Sequence, residues 1–231
     1  MNAMVAIPSG FSPQEYLALE HDNAIRHEYR RGLVYAMAGG SDNHSRLSIN
    51  LLTEINLHLR GGDCQFFSGD VKVNYIDDFF YYPDAFVTCD PRDLDDRYVK
   101  RYPKLIVEVL SPSTEEFDRG DKFKDYQQLI SLEEYVLIAQ DQRRVECWRR
   151  RSPREAAPTP QDGWHGVVYQ AEDTVVLESI GLAIAIADLY QGVMLSGVRS
   201  QETGGWLGTE YCLPAYTVPK NHFSKSSENQ G

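Results

Sequence analysis

The sequence predicts an α/β (α+β) fold in which a mixed central β-sheet is flanked by helices. Stretches with a 3.6-residue apolar period indicate helices, and short runs rich in β-branched and aromatic residues indicate strands. Helices interspersed with a meander of strands are typical of a sheet covered by helical layers. The 231 residues suit one domain of ordinary size.

Three helices are predicted from their caps and apolar faces. The first begins at residues 12–15, Ser-Pro-Gln-Glu, where serine caps the helix, proline occupies the first turn and glutamate completes a capping box. The second runs from Ser41 or Asp42 to Arg60, before a pair of glycines that ends it. The third spans roughly residues 119–130.

The predicted strands have either the two-residue period or the continuous apolar character of sheet segments. They are a hairpin over residues 27–37 with its turn near Arg31-Gly32, and the segments 71–76, 79–87, 105–110, 135–139, 144–148, 167–169 and 174–177. A last amphipathic segment covers residues 181–193. We expect residues 1–11 to be a flexible leader, residues 12–195 the folded domain and residues 196–231 a loosely ordered tail without function.

Composition narrows the classes of function. The net charge of −11 argues against a protein that only coats nucleic acid, because phosphate neutralisation supplies most non-specific affinity. The net charge does not exclude an enzyme that binds nucleic acid through one local surface patch and a bound metal. No apolar run is long enough to cross a bilayer and no signal peptide is recognisable, so we expect a cytoplasmic protein. The four cysteines are widely spread and predict neither a zinc site nor a disulfide framework.

Six arginines lie close together in residues 143–154. We favour a solvated hairpin and loop over a phosphate-binding ridge for this stretch.

A carboxylate interrupts the most hydrophobic strand-like run of the chain. Residues 105–110 read Leu-Ile-Val-Glu-Val-Leu, which is typical of a central strand covered on both faces. An ionised Glu108 in such a strand is costly unless a charge or a hydrogen-bond donor meets it. Glu108 is therefore the first candidate for a functional residue.

Asp84 and Lys122 complete a constellation with Glu108. Two carboxylates on neighbouring strands can share a divalent cation, and a nearby lysine can hold the attacking water and stabilise charge growing on a phosphoryl group. At about 100° per residue, Lys122 lies on the apolar, sheet-facing side of its helix with Tyr126, Leu129 and Ile130, whereas Lys124 points to solvent. Tyr126 is expected in the core. These groups suit phosphodiester hydrolysis.

An explanation without catalysis remains open for each of these three residues. Glu108 and Lys122 alone could form a buried ion pair without a catalytic role, and Asp84 follows a proline in a dipeptide common in turns. Other chemistries have weaker support, since there is no nucleophile elbow at Ser111 or Ser113, no glycine-rich phosphate loop and no histidine pair spaced for zinc.

Several motifs resemble the Uma-type restriction-endonuclease family, bacterial proteins with the PD-(D/E)XK nuclease fold. The motifs are Tyr-Pro-Asp at residues 82–84, Val-Glu-Val-Leu-Ser-Pro-Ser-Thr at 107–114, Asp-Arg-Gly-Asp-Lys at 118–122 and Glu-Tyr-Val-Leu at 134–137. The resemblance extends to His27-Glu28, the turn at residues 37–40, His44-Ser45 and Leu189-Tyr190. It covers about residues 12–193 and implies a restriction-endonuclease-like core.

The resemblance also implies roles for the residues of the site. In the superfamily, the acids that match Asp84 and Glu108 bind Mg²⁺, and a lysine two positions after the second acid assists. Here that position holds Leu110, and Lys122 matches members in which the lysine lies on the following helix. Glu28 matches an acid that completes the metal shell, although a strand-edge glutamate paired with Arg26 or Arg30 is an equal alternative.

We therefore predict a Mg²⁺-dependent endonuclease, with Mn²⁺ as the alternative cofactor, that acts on DNA as a homodimer. Asp84 and Glu108 would bind the metal, Lys122 would assist the attacking water and Glu28 would support them. For His44 we favour a packing or hydrogen-bonding role over a catalytic one. The alternatives are a catalytically inactive nuclease-fold protein that binds or regulates nucleic acid, and a buried ion pair with a structural role only.

Overall fold

The computed structural model describes residues 6–8, 10–37, 39–151 and 163–195. In chain order the elements are β1 (Ala6–Pro8), α1 (Pro13–Asp22), β2 (His27–Arg30), β3 (Leu33–Ala36), α2 (Asp42–Leu59), β4 (Gln65–Ser68), β5 (Lys72–Tyr75), β6 (Phe79–Tyr81), β7 (Ala85–Thr88), a 3-10 helix (Pro91–Leu94), β8 (Val99–Lys100), β9 (Pro103–Leu110), α3 (Glu115–Arg119), α4 (Asp121–Tyr126), β10 (Glu134–Ala139), β11 (Arg144–Arg150), β12 (Trp164–Gln170), β13 (Thr174–Leu177), β14 (Leu182–Ala185) and α5 (Ile186–Leu189).

The strands form two mixed sheets and a hairpin. The first sheet has the order β1-β3-β2-β6-β5-β8, the second has the order β12-β11-β10-β9-β7-β4, and β13 pairs with β14. The pairs β5–β8 and β9–β10 are parallel, and the other pairs of both sheets are antiparallel. The predicted α+β class, with mixed sheet structure flanked by helices, is confirmed, but the strands form two large sheets and not the single central sheet that was expected.

Local sequence signals correctly located several elements. The capping box of α1 is formed, because Ser12 Oγ accepts the Glu15 N–H at 3.2 Å and Glu15 Oε2 accepts the Ser12 N–H at 2.7 Å. The β2–β3 turn has positive φ at Arg31 and Gly32, as a two-residue hairpin loop requires. Ser41 caps α2 by accepting the His44 N–H.

The predicted strand over residues 79–87 is wrong in one respect, because it is divided between the two sheets. It breaks after Tyr81 into β6 of the first sheet and β7 of the second. Pro83 lies in the break and has no N–H with which to continue a ladder. The break places Asp84 at the junction of the two sheets.

The predicted third helix is also interrupted. It divides at Gly120 into α3 and α4 and ends at Tyr126, short of the predicted boundary at residue 130. A Cβ atom at Gly120 would lie 2.9 Å from the carbonyl oxygen of Glu116, so glycine permits the close approach at this bend. The predicted last amphipathic segment is a strand, β14, followed by the short helix α5.

The predicted leader is contradicted over three of its residues, since Ala6–Pro8 form β1 and pair with β3. Residues 1–5 and 9 lie outside the described residues, as does the predicted tail at 196–231. No helix in the described ranges is long and apolar enough to span a membrane.

A disulfide joins Cys64 and Cys89, which contradicts the expectation that the cysteines form none. The antiparallel register pairs Gln65 with Thr88, so the two cysteines lie opposite each other one position further along the β4–β7 ladder. The pairing depends on this register, which the spacing of 25 residues did not reveal.

Strand β9 separates two hydrophobic cores. Val107 and Val109 belong to a core shared with α2, whereas Ile106 and Leu110 belong to a second core shared with α4. Alternate side chains of a strand point to opposite faces, so Glu108 faces the α4 side. Charged groups therefore have to be accommodated in this second core.

Candidate active site

Asp84 lies directly before β7, the strand that pairs with β9, which carries Glu108. Because Ala85 pairs with Val107 in the antiparallel β7–β9 ladder, one further position along this register places Asp84 opposite Glu108. Its Oδ2 accepts the Val109 N–H at 2.7 Å and lies 3.1 Å from His44 Nε2. The side chain is 22% exposed, so the site opens to solvent on this side.

Glu108 is buried, with 3% of its surface exposed. Its Oε1 accepts hydrogen bonds from the Tyr126 hydroxyl at 3.0 Å and from Lys122 Nζ at 2.9 Å. The buried carboxylate in the apolar strand therefore meets one cation and one neutral donor, both from α4.

Lys122 is the centre of the cluster. Its Nζ lies 2.9 Å from Glu108, 3.1 Å from Glu28 Oε1 and 3.5 Å from Asp118 Oδ1. The predicted helical face is confirmed, since Lys122 is 5% exposed whereas the Lys124 side chain is 61% exposed and pairs with Asp121. The expectation for Ile130 is wrong, because α4 ends at Tyr126 and the helical period no longer applies at residue 130, which is exposed.

Glu28 reaches the cluster from the other sheet. It lies on β2, and its Oε1 accepts the Tyr82 N–H at 3.0 Å in addition to its contact with Lys122. The alternative pairing of Glu28 with Arg26 or Arg30 is wrong, because Arg26 pairs with Asp70, and Arg30 pairs with Asp121 and Asp125. Through the Tyr82 N–H, Glu28 is also hydrogen-bonded to the segment between β6 and β7, two residues before Asp84.

Asp118 contacts Lys122 and Tyr126 contacts Glu108, and the sequence reasoning assigned neither residue to the site. Asp118 is 2% exposed and lies four residues before Lys122, a spacing that places both on one side of a helix and could have revealed it. Tyr126 was expected in the core, where it lies, but its hydroxyl also donates to Glu108.

Burial is the largest cause of the raised pKa values of the acids in the cluster. Burial raises the pKa of Glu108 well above its ordinary value, although Lys122 acts in the opposite direction. Burial also raises the pKa of Glu28 and of Asp118. Burial opposes the charge on Lys122, but the carboxylates of Glu108 and Glu28 outweigh it and hold the lysine pKa well above its usual range.

In contrast to these acids, His44 has a pKa that is raised by a neighbouring group and not by burial. Burial alone would lower the pKa of its imidazole, but the hydrogen bond and the charge of Asp84 raise it. The site thus contains the carboxylates of Glu28, Asp84, Glu108 and Asp118 against one ammonium group and one histidine.

Comparison with known proteins gives the family. The model of the Uma2 family, described as "Putative restriction endonuclease", matches residues 13–186. The chain belongs to the Uma2 family. The resemblance predicted from the motifs is therefore confirmed.

This Uma2 protein has relatives in Synechocystis sp. (strain ATCC 27184 / PCC 6803 / Kazusa). It is 40% identical over 183 residues to "Uncharacterized protein slr1290", covering 79% of this chain and 92% of the relative. It is 32% identical over 155 residues to "Uncharacterized protein sll1609", covering 66% and 88% of the two chains.

A solved structure shares the fold of this Uma2 protein. The crystal structure of "a putative nuclease belonging to DUF820" from Anabaena variabilis ATCC 29413 superposes with a TM-score of 0.65. The match covers 80% of this chain and 99% of that chain at 18% identity, a level that shows a common nuclease fold.

The donor set of this Uma2 site fits a hard divalent cation held by few protein ligands. Asp84 and Glu108 offer carboxylate oxygens from adjacent strands, and the surrounding acids leave an excess of negative charge. Within the described ranges, no group of three or more His, Cys, Asp or Glu side chains is placed to hold a metal ion. Mg²⁺ keeps several waters and commonly uses only one or two carboxylates, which is the kind of site that Asp84 and Glu108 would form.

The arginine-rich stretch forms the predicted hairpin, and Arg143 is solvent-exposed as expected, but Arg149 and Arg150 make internal contacts. Arg149 is buried against Glu134, and Arg150 donates to the backbone carbonyls of three residues before β10. Arg144 pairs with Glu146. Arg154 lies outside the described residues.

Proposed function

We propose that this protein is a Mg²⁺-dependent endonuclease that hydrolyses phosphodiester bonds in DNA, with Mn²⁺ as an alternative cofactor. The observation that carries the proposal is the charge imbalance of the site. Glu28, Glu108 and Asp118 are buried around a single ammonium group, and Asp84 stands beside them at the solvent-facing edge. A divalent cation is the partner that would balance such a group.

Asp84 and Glu108 would hold the metal. When bound, Mg²⁺ supplies positive charge that polarises the scissile phosphate and makes a coordinated water more acidic. Asp84 is half-buried and Glu108 fully buried, so the metal would sit at the boundary between core and solvent, where a phosphate can reach it.

Lys122 would act as a fixed positive charge and a hydrogen-bond donor. The carboxylates of Glu108 and Glu28 raise its pKa, which favours a role as a protonated donor over a role as the base that deprotonates water. It would instead orient the attacking water and stabilise negative charge growing on the phosphoryl oxygens. Glu28 and Asp118 would hold the ammonium group in place when Glu108 binds the metal.

The proposal extends to a cytoplasmic homodimer. Cutting both strands of a duplex suits a two-fold enzyme, and light scattering after size-exclusion chromatography tests the dimer.

Disulfides are rare in the cytosol, so alkylation of Cys64 and Cys89 in intact cells, followed by mass spectrometry, tests the location.

The decisive experiment is cleavage of supercoiled plasmid, single-stranded DNA and RNA with Mg²⁺ or Mn²⁺. We expect Asp84→Asn and Lys122→Met to lower the rate about 10²–10³-fold. Lys124→Met should keep the wild-type rate, because this exposed lysine lies on the same helix but points away from the site. Activity that survives in both site variants would overturn the assignment.

Calorimetric titration of the same proteins with Mg²⁺ and Mn²⁺ separates the remaining alternatives. Metal binding and DNA binding without cleavage of any substrate would favour a nuclease-fold protein that binds or regulates nucleic acid. Absence of metal binding, with Asp84→Asn changing stability alone, would favour a structural ion pair.

A further inference from the structure

The contact between His44 and Asp84 involves a particular oxygen of the carboxylate. His44 Nε2 lies 3.1 Å from Asp84 Oδ2, the same atom that accepts the Val109 N–H at 2.7 Å. Both of these donors therefore approach one oxygen of Asp84. The described residues leave the other oxygen, Oδ1, for a different partner.

The position of the imidazole is fixed by its surroundings on α2. His44 lies in the first turn, where Ser41 caps its backbone N–H, and its carbonyl accepts the Ser48 hydroxyl. Gly40 lies against the ring, since a Cβ atom there would be 3.0 Å from Nδ1 and 3.2 Å from Cγ. The absence of a side chain at Gly40 makes room for the ring beside Asp84.

We propose that His44 is a positioning residue that orients the Asp84 carboxylate for metal binding. Its Nε2–H, together with the Val109 N–H, restrains Oδ2 and leaves Oδ1 as the metal-binding oxygen. The proposal rests on the proposed function, because it assigns a purpose to the orientation of a metal ligand. Hydrogen bonds to ligating side chains commonly contribute 10–100-fold in metal affinity or activity.

A role through Asp84 differs in a testable way from a direct role in proton transfer. The side-chain nitrogen of glutamine is as many bonds from Cβ as Nε2 of histidine, so His44→Gln retains a donor toward Asp84 but cannot exchange a proton near neutral pH. Asparagine places its nitrogen near the position of Nδ1 and does not reach Asp84. The two variants thus separate the hydrogen bond from acid–base chemistry.

The experiment measures the Mn²⁺ dissociation constant by calorimetry, and kcat and KM for plasmid cleavage, in the full chain. We expect His44→Asn to weaken Mn²⁺ binding about 10–100-fold and to recover kcat at high metal concentration, while His44→Gln stays within about threefold of wild type. Gly40→Ala, which crowds the ring, should weaken Mn²⁺ binding less than His44→Asn does.

Two controls keep the result specific. His58→Gln, on the exposed side of the same helix, should leave metal binding and cleavage unchanged. Melting temperatures of all variants show whether a loss reflects unfolding.

Three results would overturn the assignment. Normal metal binding in His44→Asn would overturn this inference alone, and so would normal metal binding with lost cleavage in His44→Gln. A wild-type protein that binds no metal would overturn the proposed function, and this inference with it.

Discussion

Two buried ion pairs on neighbouring strands of the second sheet differ in their charge balance. Glu134 of β10 pairs with Arg149 of β11 at 3.0 Å, and its second oxygen accepts the N–H and hydroxyl of Ser179. Arg149 donates further to Tyr169 and to the carbonyl of Val176, and it also pairs at 2.6 Å with the exposed carboxylate of Glu178. Glu108 of β9 instead shares Lys122 with Glu28 and Asp118.

The difference separates a structural ion pair from a site that has capacity for another cation. A buried pair is tolerated when each charge has an opposite partner and its remaining lone pairs and protons are satisfied, as in Glu134–Arg149. Three buried carboxylates around one lysine do not meet this condition. We infer that an excess of buried charge, rather than burial of charge as such, marks the functional region.

Removal of Arg149 should have the largest effect on folding. Arg149→Met leaves Glu134 as an unpaired buried charge, so the free energy of unfolding should fall by about 3–5 kcal/mol, measured by urea denaturation. Arg143→Met is the control, because this exposed arginine pairs at 3.7 Å with an exposed Glu172 and should cost about 0–1 kcal/mol. A small loss at Arg149 would remove the contrast between the two ion pairs.

Removal of the disulfide should lower stability without affecting the site. The double variant Cys64→Ser with Cys89→Ser should lose about 3 kcal/mol of unfolding free energy, because the bond closes a loop of 25 residues. Its metal affinity should equal that of the wild type, since Cys89 follows the end of β7 and Asp84 precedes its start. Weaker metal binding in this variant would show that the two ends of β7 are coupled.

Replacement of Glu108 or of Glu134 by glutamine should change the unfolding free energy in opposite directions. Glu108→Gln should raise the metal-free unfolding free energy by about 1 kcal/mol at pH 8, because it removes a desolvated charge while Lys122 keeps two other carboxylates. Glu134→Gln should lower it by about 1–3 kcal/mol, because it removes the buried charged partner of Arg149 and leaves only the exposed Glu178. Equal destabilisation by both would contradict the proposed imbalance.

The sign of the pH dependence of stability should reflect the excess of buried carboxylates around Lys122. The raised pKa values of Glu28, Glu108 and Asp118 mean that the folded protein retains protons that the unfolded chain releases near pH 4–4.5. This contribution is fully present below those values and is lost as pH rises through the folded-state pKa values. Groups with lowered pKa values, such as Glu146, act in the opposite direction at lower pH.

Urea denaturation between pH 5 and 8 in EDTA and in Mg²⁺ tests this expectation. Without metal the unfolding free energy should decrease as pH rises, and Mg²⁺ should restore it most at pH 8 because metal binding competes with protons. Stability that rises with pH and does not respond to Mg²⁺ would contradict the charge excess. Glu108→Gln should flatten the metal-free curve.

The sequence by itself determined the features that depend on neighbours along the chain. The capping box of α1, the hairpin turn at Arg31-Gly32 and the α2 boundaries follow from local backbone preferences. The apolar run of β9 located Glu108, and helical periodicity placed Lys122 on the buried side of its helix. These signals suffice because spacing along one strand or helix determines which side chains share a face.

The tertiary structure decided which distant segments meet. It divided residues 79–87 between two sheets, brought Glu28 from the first sheet to Lys122 and paired Cys64 with Cys89. It also brought His44 to Asp84, a contact that turns a histidine on a helix into a partner of the site. Such contacts arise from strand register and sheet packing, which depend on the burial of the whole chain rather than on any local pattern.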